Sequence, residues 1–472
     1  MISFGAAVLR VGGGLLLAGG AGYLLSEAMV PRGRAARAER LGWTFALATA
    51  LLALAAAVSL AVPRLSAVLV LVFAVCIAAL LSRRAAMPPD TELPLRVRPP
   101  WRPVEAALLA AAVVGVALYA LRALAEPLWA GDFLAIWGLK GKALFEAGGV
   151  PAHLLEDPRF GFTHPEYPLG LPLLYAGAAL AAGVWDDQAL ALLFPCWLAA
   201  TMLVAFGWLR RRGAPVALSL GAAVLVSHFA PLYSAFLAGM AEVPMAFAFL
   251  LLGTSFVDAL DGEGRAGALR RLAFASFLAA GTKNEGLFMV GLALLLLLAL
   301  RGLGRAGRGA GRTALALAVP ALATVAAHRL ALGAHPVRDF DLSYLLRPGL
   351  MDRAGEAASA LASVYLAPRW PALLLLAGLL ALGRRVPAGD RLLLLAGGNL
   401  LAYLALPLVS VLGPSWLVTW SLGRTAAALG PMVAVAAALR LAPLFEGLLP
   451  VNPADPQQIV ERSGEVPGQR HF

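Results

Sequence analysis

The chain has 472 residues, of which 60% are apolar and only 14% charged, and it carries a net charge of +11. A water-soluble domain must cover its core with polar groups, so this composition excludes an ordinary soluble globule and points to an integral membrane protein. The positive charge alone would suit nucleic acid, but it sits in clusters between apolar runs, a topological arrangement that argues against a nucleic-acid partner.

Taken in chain order, the first apolar run covers 3–29 with Arg10 inside it and no small-residue cleavage site, and it reads as a retained helix. Further spans are expected near 42–62, 65–82, 104–126, 188–209, 214–237, 243–260, 313–333, 361–382, 392–412 and 425–446. A tight helical hairpin at 271–282 and 286–301 brings the total to about 13 crossings of the roughly 30 Å hydrocarbon layer. The fold class is therefore all-α and polytopic. Residues 1–103 are expected to form an N-terminal three-helix module, 104–446 the main transmembrane domain, and 447–472 a polar cytoplasmic tail with the composition of a disordered segment. Cys76 and Cys196 fall inside apolar helices and read as small core residues, not as a disulfide or a metal site.

The basic clusters at 31–40, 82–102, 210–212, 301–312 and 383–385 mark the cytoplasmic face, with anionic lipid headgroups as neighbours. A crossing by the run at 167–183 would invert every later cluster. Its prolines, glycines and short length make it a segment that dips into the interface and returns. The long loop 127–187 then lies outside, together with 238–243, 334–360 and 413–424.

The two faces differ in chemistry. Inner loops are repetitive Arg, Gly, Ala and Pro, whereas the outer segments GDFLAIWGLKGKALF, FTHPEYPLGLP, AGMAEVP, GTKNEG, HPVRDFDLSY and SWLVTWSLGR gather Lys, His, acids and Trp. Among 38 basic residues only three are lysine, at 140, 142 and 283. Ammonium is a compact point charge and guanidinium a broad fork, so lysines kept against an arginine bias suggest approach to a phosphate in a tight space. Asp132, Glu166 and Glu242 all stand at the outer membrane boundary, where an ionisable group is costly unless it meets water or a partner.

An acid just after an early membrane helix, a long first outer loop, the turn His164-Pro-Glu-Tyr-Pro, and the acid-x-Pro beginning at Glu242 occur in that order. In this the chain resembles the C-type glycosyltransferase superfold, and is similar to bacterial members of the protein O-mannosyltransferase and aminoarabinose transferase group. GDFLAIWGLKGKALF, THPEYPLGLPLL, AGMAEVPMA, GTKNEG and SWLVTWSLGRTAAALGP carry the resemblance, which covers 104–440.

The resemblance implies transfer of a sugar from a polyprenyl-phosphate donor to a lipid, glycan or protein acceptor at the outer face of the bacterial cytoplasmic membrane. Asp132 is the expected base for the acceptor proton, with Glu242 the second catalytic acid. Lys140, Lys142 and Arg424 are the expected cations for the leaving phosphate, with Lys283 and Glu285 at the same site. His164 and Glu166 would position the sugar or order the loop, and Trp137 and Tyr167 would stack on it. Two departures, glutamate at 242 and a single acid after the fourth span, leave a divalent cation, Mg2+ or Mn2+, optional and its ligands unassigned. A polysaccharide ligase and a transporter are the competing classes. The transporter would show internal repeats and ionisable groups on both sides, and neither is present in the sequence.

Overall fold

The computed structural model describes residues 2–31, 33, 36–62, 65–85, 102–149, 158–228, 238–262, 265–305, 309–333, 339–366 and 383–446. Long apolar runs rich in Ala and Leu satisfy their backbone polar groups internally only as helices, and the described residues contain no strand beyond an isolated antiparallel bridge between Phe340 and Ser410. The helices are α1 (Phe4–Ser26), α2 (Ala36–Ala61), α3 (Ala67–Ala85), α4 (Pro103–Leu124), α5 (Gly138–Ala147), α6 (Gly170–Ala182), α7 (Leu193–Arg211) and α8 (Val216–Ser227). They continue as α9 (Glu242–Asp261), α10 (Arg265–Thr282), α11 (Asn284–Gly302), α12 (Ala310–Leu332), α13 (Leu350–Leu361), α14 (Pro387–Val409) and α15 (Gly430–Glu446).

Among the described residues eight helices are long and apolar enough to cross a membrane. A ninth span is possible if Pro414–Ala427 and α15, bent by 47° at their junction, act as one. The chain is thus an all-helical polytopic membrane protein. The expected spans at 214–237 and 361–382 lie partly outside the described residues, and the apolar helices Ala67–Ser82 and α8 are shorter than a full span. The hairpin expected at 271–282 and 286–301 forms as α10 and α11, with Lys283 as its turn. α10 starts six residues earlier than expected, and Arg270 and Arg271 in its second turn are held by the segment after α1 and by Asp258.

α9 is the axis of the molecule, almost entirely buried over its 20 residues, about 30 Å of helix. One end carries Glu242 and the other Asp258. At the Asp258 end, Arg211 donates to Glu39 through two bonds of 2.8 and 3.0 Å and to Asp258 at 2.6 Å, while Arg271 reaches Asp258 at 2.7 Å. Arg212 bridges Asp258 and Asp261, Arg391 also donates to Asp261, and Trp208 Nε1 donates to Asp258 at 3.0 Å. Arg211 and Arg212, read from the sequence only as markers of one membrane face, are therefore also structural partners of buried acids. Asp258 sits at 0% exposure, and a carboxylate so buried requires this ring of cations.

Arg270 and Arg271 also donate to the carbonyls of Ala28 and Met29, so α1 ends at the Asp258 end and begins at the Glu242 end. α6 begins beside Tyr167 and ends against Ala7 and Val11 near the start of α1. Both ends of α6 thus lie on one side, and its 13 residues make about 20 Å of helix, short of the hydrocarbon thickness. Its middle presses on α2, where a Cβ at Gly177 would lie 2.0 Å from the Leu52 carbonyl oxygen. Through such contacts the N-terminal helices share one continuous core with the rest of the chain.

Candidate functional site

The Glu242 end of the bundle brings together segments far apart in sequence. Asp132 immediately precedes a π-helical turn, Phe133–Trp137, which runs on into α5 and stops at Gly148 in the left-handed region. Arg424 follows a second π-helical turn, Val418–Leu422, by two residues. Such turns are rare and widen a helix locally, often where function places a side chain. Gly239 (φ 96°) lets the chain before α9 pack on Phe133, and its carbonyl accepts from Tyr175 at 3.3 Å.

These elements build a row of alternating charges. Arg424 Nη1 donates to Asp132 Oδ2 at 2.6 Å and lies 2.9 Å from Met240 Sδ. Its Nε is 3.6 Å from Glu242 Oε1, which also accepts from Lys283 Nζ at 3.3 Å, and Lys283 in turn lies 2.8 Å from Glu285. The Asp132 and Arg424 side chains are 24% and 19% exposed and can meet a ligand, whereas the Glu242 side chain is 2% exposed. Glu242 Oε2 is buried with no hydrogen-bond partner. Glu242 borders a pocket with room for about one water molecule, walled by Lys283, Glu285, Tyr403 and Thr425.

A second cluster adjoins the first. Tyr167 stacks on Trp137 at 5.3 Å on one side and on His164 at 4.7 Å on the other, and Lys283 lies 5.9 Å from its ring centre. Trp137 is fully buried, which corrects the expectation that it offers a face to a sugar, whereas Tyr167 is only partly buried. His164 is the one non-glycine residue with positive φ (52°) among those described, and Lys140 Nζ holds it there by donating to its carbonyl at 2.6 Å. His164 Nδ1 lies 2.9 Å from Glu166 Oε1 and 3.6 Å from Asp339 Oδ2.

The electrostatics follow from burial and from these contacts. Burial lowers the Lys140 pKa to about 7, against the opposing pull of Glu166. Burial works against the charged His164, but the Glu166 hydrogen bond and the Asp339 carboxylate outweigh it and raise the imidazole pKa. Burial likewise opposes the Glu166 carboxylate, yet its bond to His164 draws its pKa down. Burial, with Glu166 adding to it, raises the Asp339 carboxyl.

The ligand atoms of His164, Glu166 and Asp339 lie within 4.8 Å of one another. An imidazole with two carboxylates suits Mn2+ or Zn2+ better than Mg2+. Asp132 and Glu242 are bound to Arg424 and Lys283, so any cation would belong with His164 and not with them.

Nearly all the expected site residues converge. Asp132, Trp137, Lys140, His164, Glu166, Tyr167, Glu242, Lys283, Glu285 and Arg424 form the two adjoining clusters, and Lys142 does not join them. Two positions apart on a helix face opposite ways, so Lys140 points inward while Lys142 is exposed and pairs with Glu146 at 3.8 Å. Lys140 is itself committed to a backbone carbonyl, so the expectation that both ammonium groups meet a phosphate does not fit their placement. Asp339 and Tyr403 were not singled out by the sequence. Asp339 stands two residues from Asp341 in one polar segment, and only the bridge of Phe340 to Ser410 turns it toward His164. Tyr403 lies inside an apolar span with no local sign of its neighbours.

Beside the residues that follow Tyr167 and precede Lys283 is a small apolar cleft, walled by Gly170, Leu174, Trp197, Phe247, Phe277 and Leu278. Neither a protein-family model nor a curated protein matches the chain. The functional reading rests on the residues themselves.

Proposed function

We propose that the protein is a membrane glycosyltransferase that moves a sugar from a polyprenyl-phosphate donor to a lipid, glycan or protein acceptor at the outer face of the bacterial cytoplasmic membrane. The observation that carries this reading is the Asp132–Arg424 pair: a reachable carboxylate held 2.6 Å from a reachable guanidinium at one end of the bundle. The apolar cleft beneath supports it, since a lipid-borne donor needs a place for hydrocarbon beside a place for charge.

In this mechanism the acceptor hydroxyl approaches Asp132, whose carboxylate takes the proton as the acceptor oxygen attacks the anomeric carbon. The bond from that carbon to the phosphate oxygen breaks, its electron pair leaves with the phosphate, and the configuration inverts. Arg424 touches Asp132 and is the cation placed to stabilise the charge that develops on the phosphate. Glu242 fixes Arg424 from behind, and Lys283 neutralises Glu242 in turn. Lys140 and the stack of Trp137, Tyr167 and His164 hold the loop that forms the other wall.

The test is release of polyprenyl phosphate by purified protein from a panel of polyprenyl-phosphate monosaccharides, with envelope extract as acceptor. Wild type should release it from one donor, and Asp132→Asn should lower the rate about 100-fold or more, the scale of a lost general base. Full activity in Asp132→Asn would remove the base assignment. No reaction with any donor, together with gradient-driven uptake into vesicles, would replace the transferase by a transporter.

A further inference from the structure

Beyond the charge clusters, residues 342–351 strongly expose three large apolar side chains within ten residues. Residues 342–346 form a 3-10 turn capped by Asp341, and α13 follows directly. Leu346 is 90% exposed, Met351 80% and Leu342 72%, while Ala357 and Ala360 on the opposite side of α13 are buried. α13 has the strongest separation of polar and apolar faces of any helix described.

Its position relative to the membrane is set by hydrogen bonds. Arg353 donates to the carbonyls of Leu408 at 2.9 Å and Pro407 at 3.3 Å, in the last turn of the membrane helix α14, and of its cap residue Ser410 at 2.6 Å. The Ser415 amide donates to Glu356 at 3.1 Å, tying α13 to the next turn as well. α13 therefore lies at the level where α14 leaves the hydrocarbon. Trp416 and Trp420, 45% and 63% exposed, continue the same region, and Trp is favoured at that depth.

We infer that residues 340–361 are an interfacial anchor: they rest on the leaflet surrounding the Glu242 end, with Leu342, Leu346 and Met351 in the acyl boundary, and so hold Asp339 beside His164. The partner is the bilayer surface itself. Residues 340–361 contain Asp341, Asp352 and Glu356 against Arg347 and Arg353, a net negative balance, so apolar burial and not attraction to anionic lipid provides the contact. The hold on Asp339 is short and direct: the Asp341 amide donates to Val409 O and the Val411 amide to Asp339 O, each at 2.8 Å. Arg347 and Arg353 stack on Tyr344 at 4.4 and 4.2 Å, which makes the turn and α13 one unit. The anchor does not depend on the chemistry assigned to Asp132.

The test uses the full chain in phosphatidylcholine vesicles, with Cys76→Ser and Cys196→Ser as background. Nitroxide labels are attached after Leu346→Cys, Met351→Cys and, on the polar side, Asp352→Cys. Collisions with oxygen and with a water-soluble nickel chelate should place the first two labels about 5–10 Å inside the headgroup boundary, the depth of interfacial helices. Asp352 should lie in water, and exchanging part of the lipid for an anionic one should move none of them. Nickel access at Leu346 equal to that at Asp352 overturns the anchor. The hold on Asp339 is read separately, by hydrogen exchange of the double variant Leu346→Asp, Met351→Asp. The Asp341 and Val411 amides should exchange about tenfold faster than in wild type, as expected when a local tether loosens. Unchanged exchange at both amides overturns the coupling.

Discussion

At the scale of single residues, the three lysines have three different circumstances. Lys142 is solvated, in an i,i+4 pair with Glu146, and such pairs contribute little. Lys283 is buried between two carboxylates, and removing one partner of a buried pair leaves an uncompensated charge. Thermal unfolding in detergent should therefore separate them: Lys142→Met within about 0.5 kcal/mol of wild type, Lys283→Met destabilised by about 3–5 kcal/mol. Lys140 is buried against a carbonyl, and burial lowers its pKa to about 7. The unfolded chain binds that proton up to its ordinary pKa near 10.5, so between about 7 and 10.5 the unfolded state holds more protons and stability rises with pH. Lys140→Met should flatten that rise in melting temperature, and an unchanged slope would contradict the burial of Lys140.

At the scale of elements, the α10–α11 hairpin decides where Lys283 and Glu285 stand. A Cβ at Gly286 would lie 1.8 Å from the Ala279 carbonyl oxygen, so the two helices can close on Lys283 only with glycine there. Gly286→Ala must push the hairpin open, at a cost of about 1–3 kcal/mol for overpacking. It should also displace Lys283 from Glu242. Melting temperature and the rate of polyprenyl phosphate release should fall together; loss of stability with unchanged rate would show that the hairpin does not position the site. α6 is a case in which the prolines, glycines and short length of an apolar run already pointed to a segment that does not cross, and both ends of the helix lie on one side.

At the scale of the whole molecule, α9 joins two charge clusters centred on Glu242 and Asp258, about 24 Å apart along the helix. The Glu242 cluster is partly open, and the Asp258 cluster is closed by arginines from α7, the loop after it and α10. Asp258→Ala leaves those guanidinium groups buried without their common partner, a loss of about 3–5 kcal/mol. The fraction that remains folded should keep the wild-type KM, because no residue of that cluster borders the site. A change in KM at full folding would show that the two ends are coupled.

Much of this was legible in the sequence because it depends on local rules. Apolar runs of sufficient length form helices in a membrane whatever their neighbours, and ionisable residues beside them gather at boundaries because burial in hydrocarbon is costly. Composition and spacing therefore determined an all-helical membrane protein and the gathering of Asp132, Glu242, Lys283, Glu285 and Arg424 on one face. Only the tertiary structure decided who pairs with whom. Local spacing puts Lys140 and Lys142 on opposite faces of α5, but it is packing that buries one and leaves the other exposed. Asp339 meets His164, 175 residues earlier, and Tyr403 shares a pocket with Glu285, 118 residues earlier, separations that no window of sequence contains. Burial and charge pairing are properties of those long-range contacts, and they set which carboxylate is reachable and which is spent on holding the others in place.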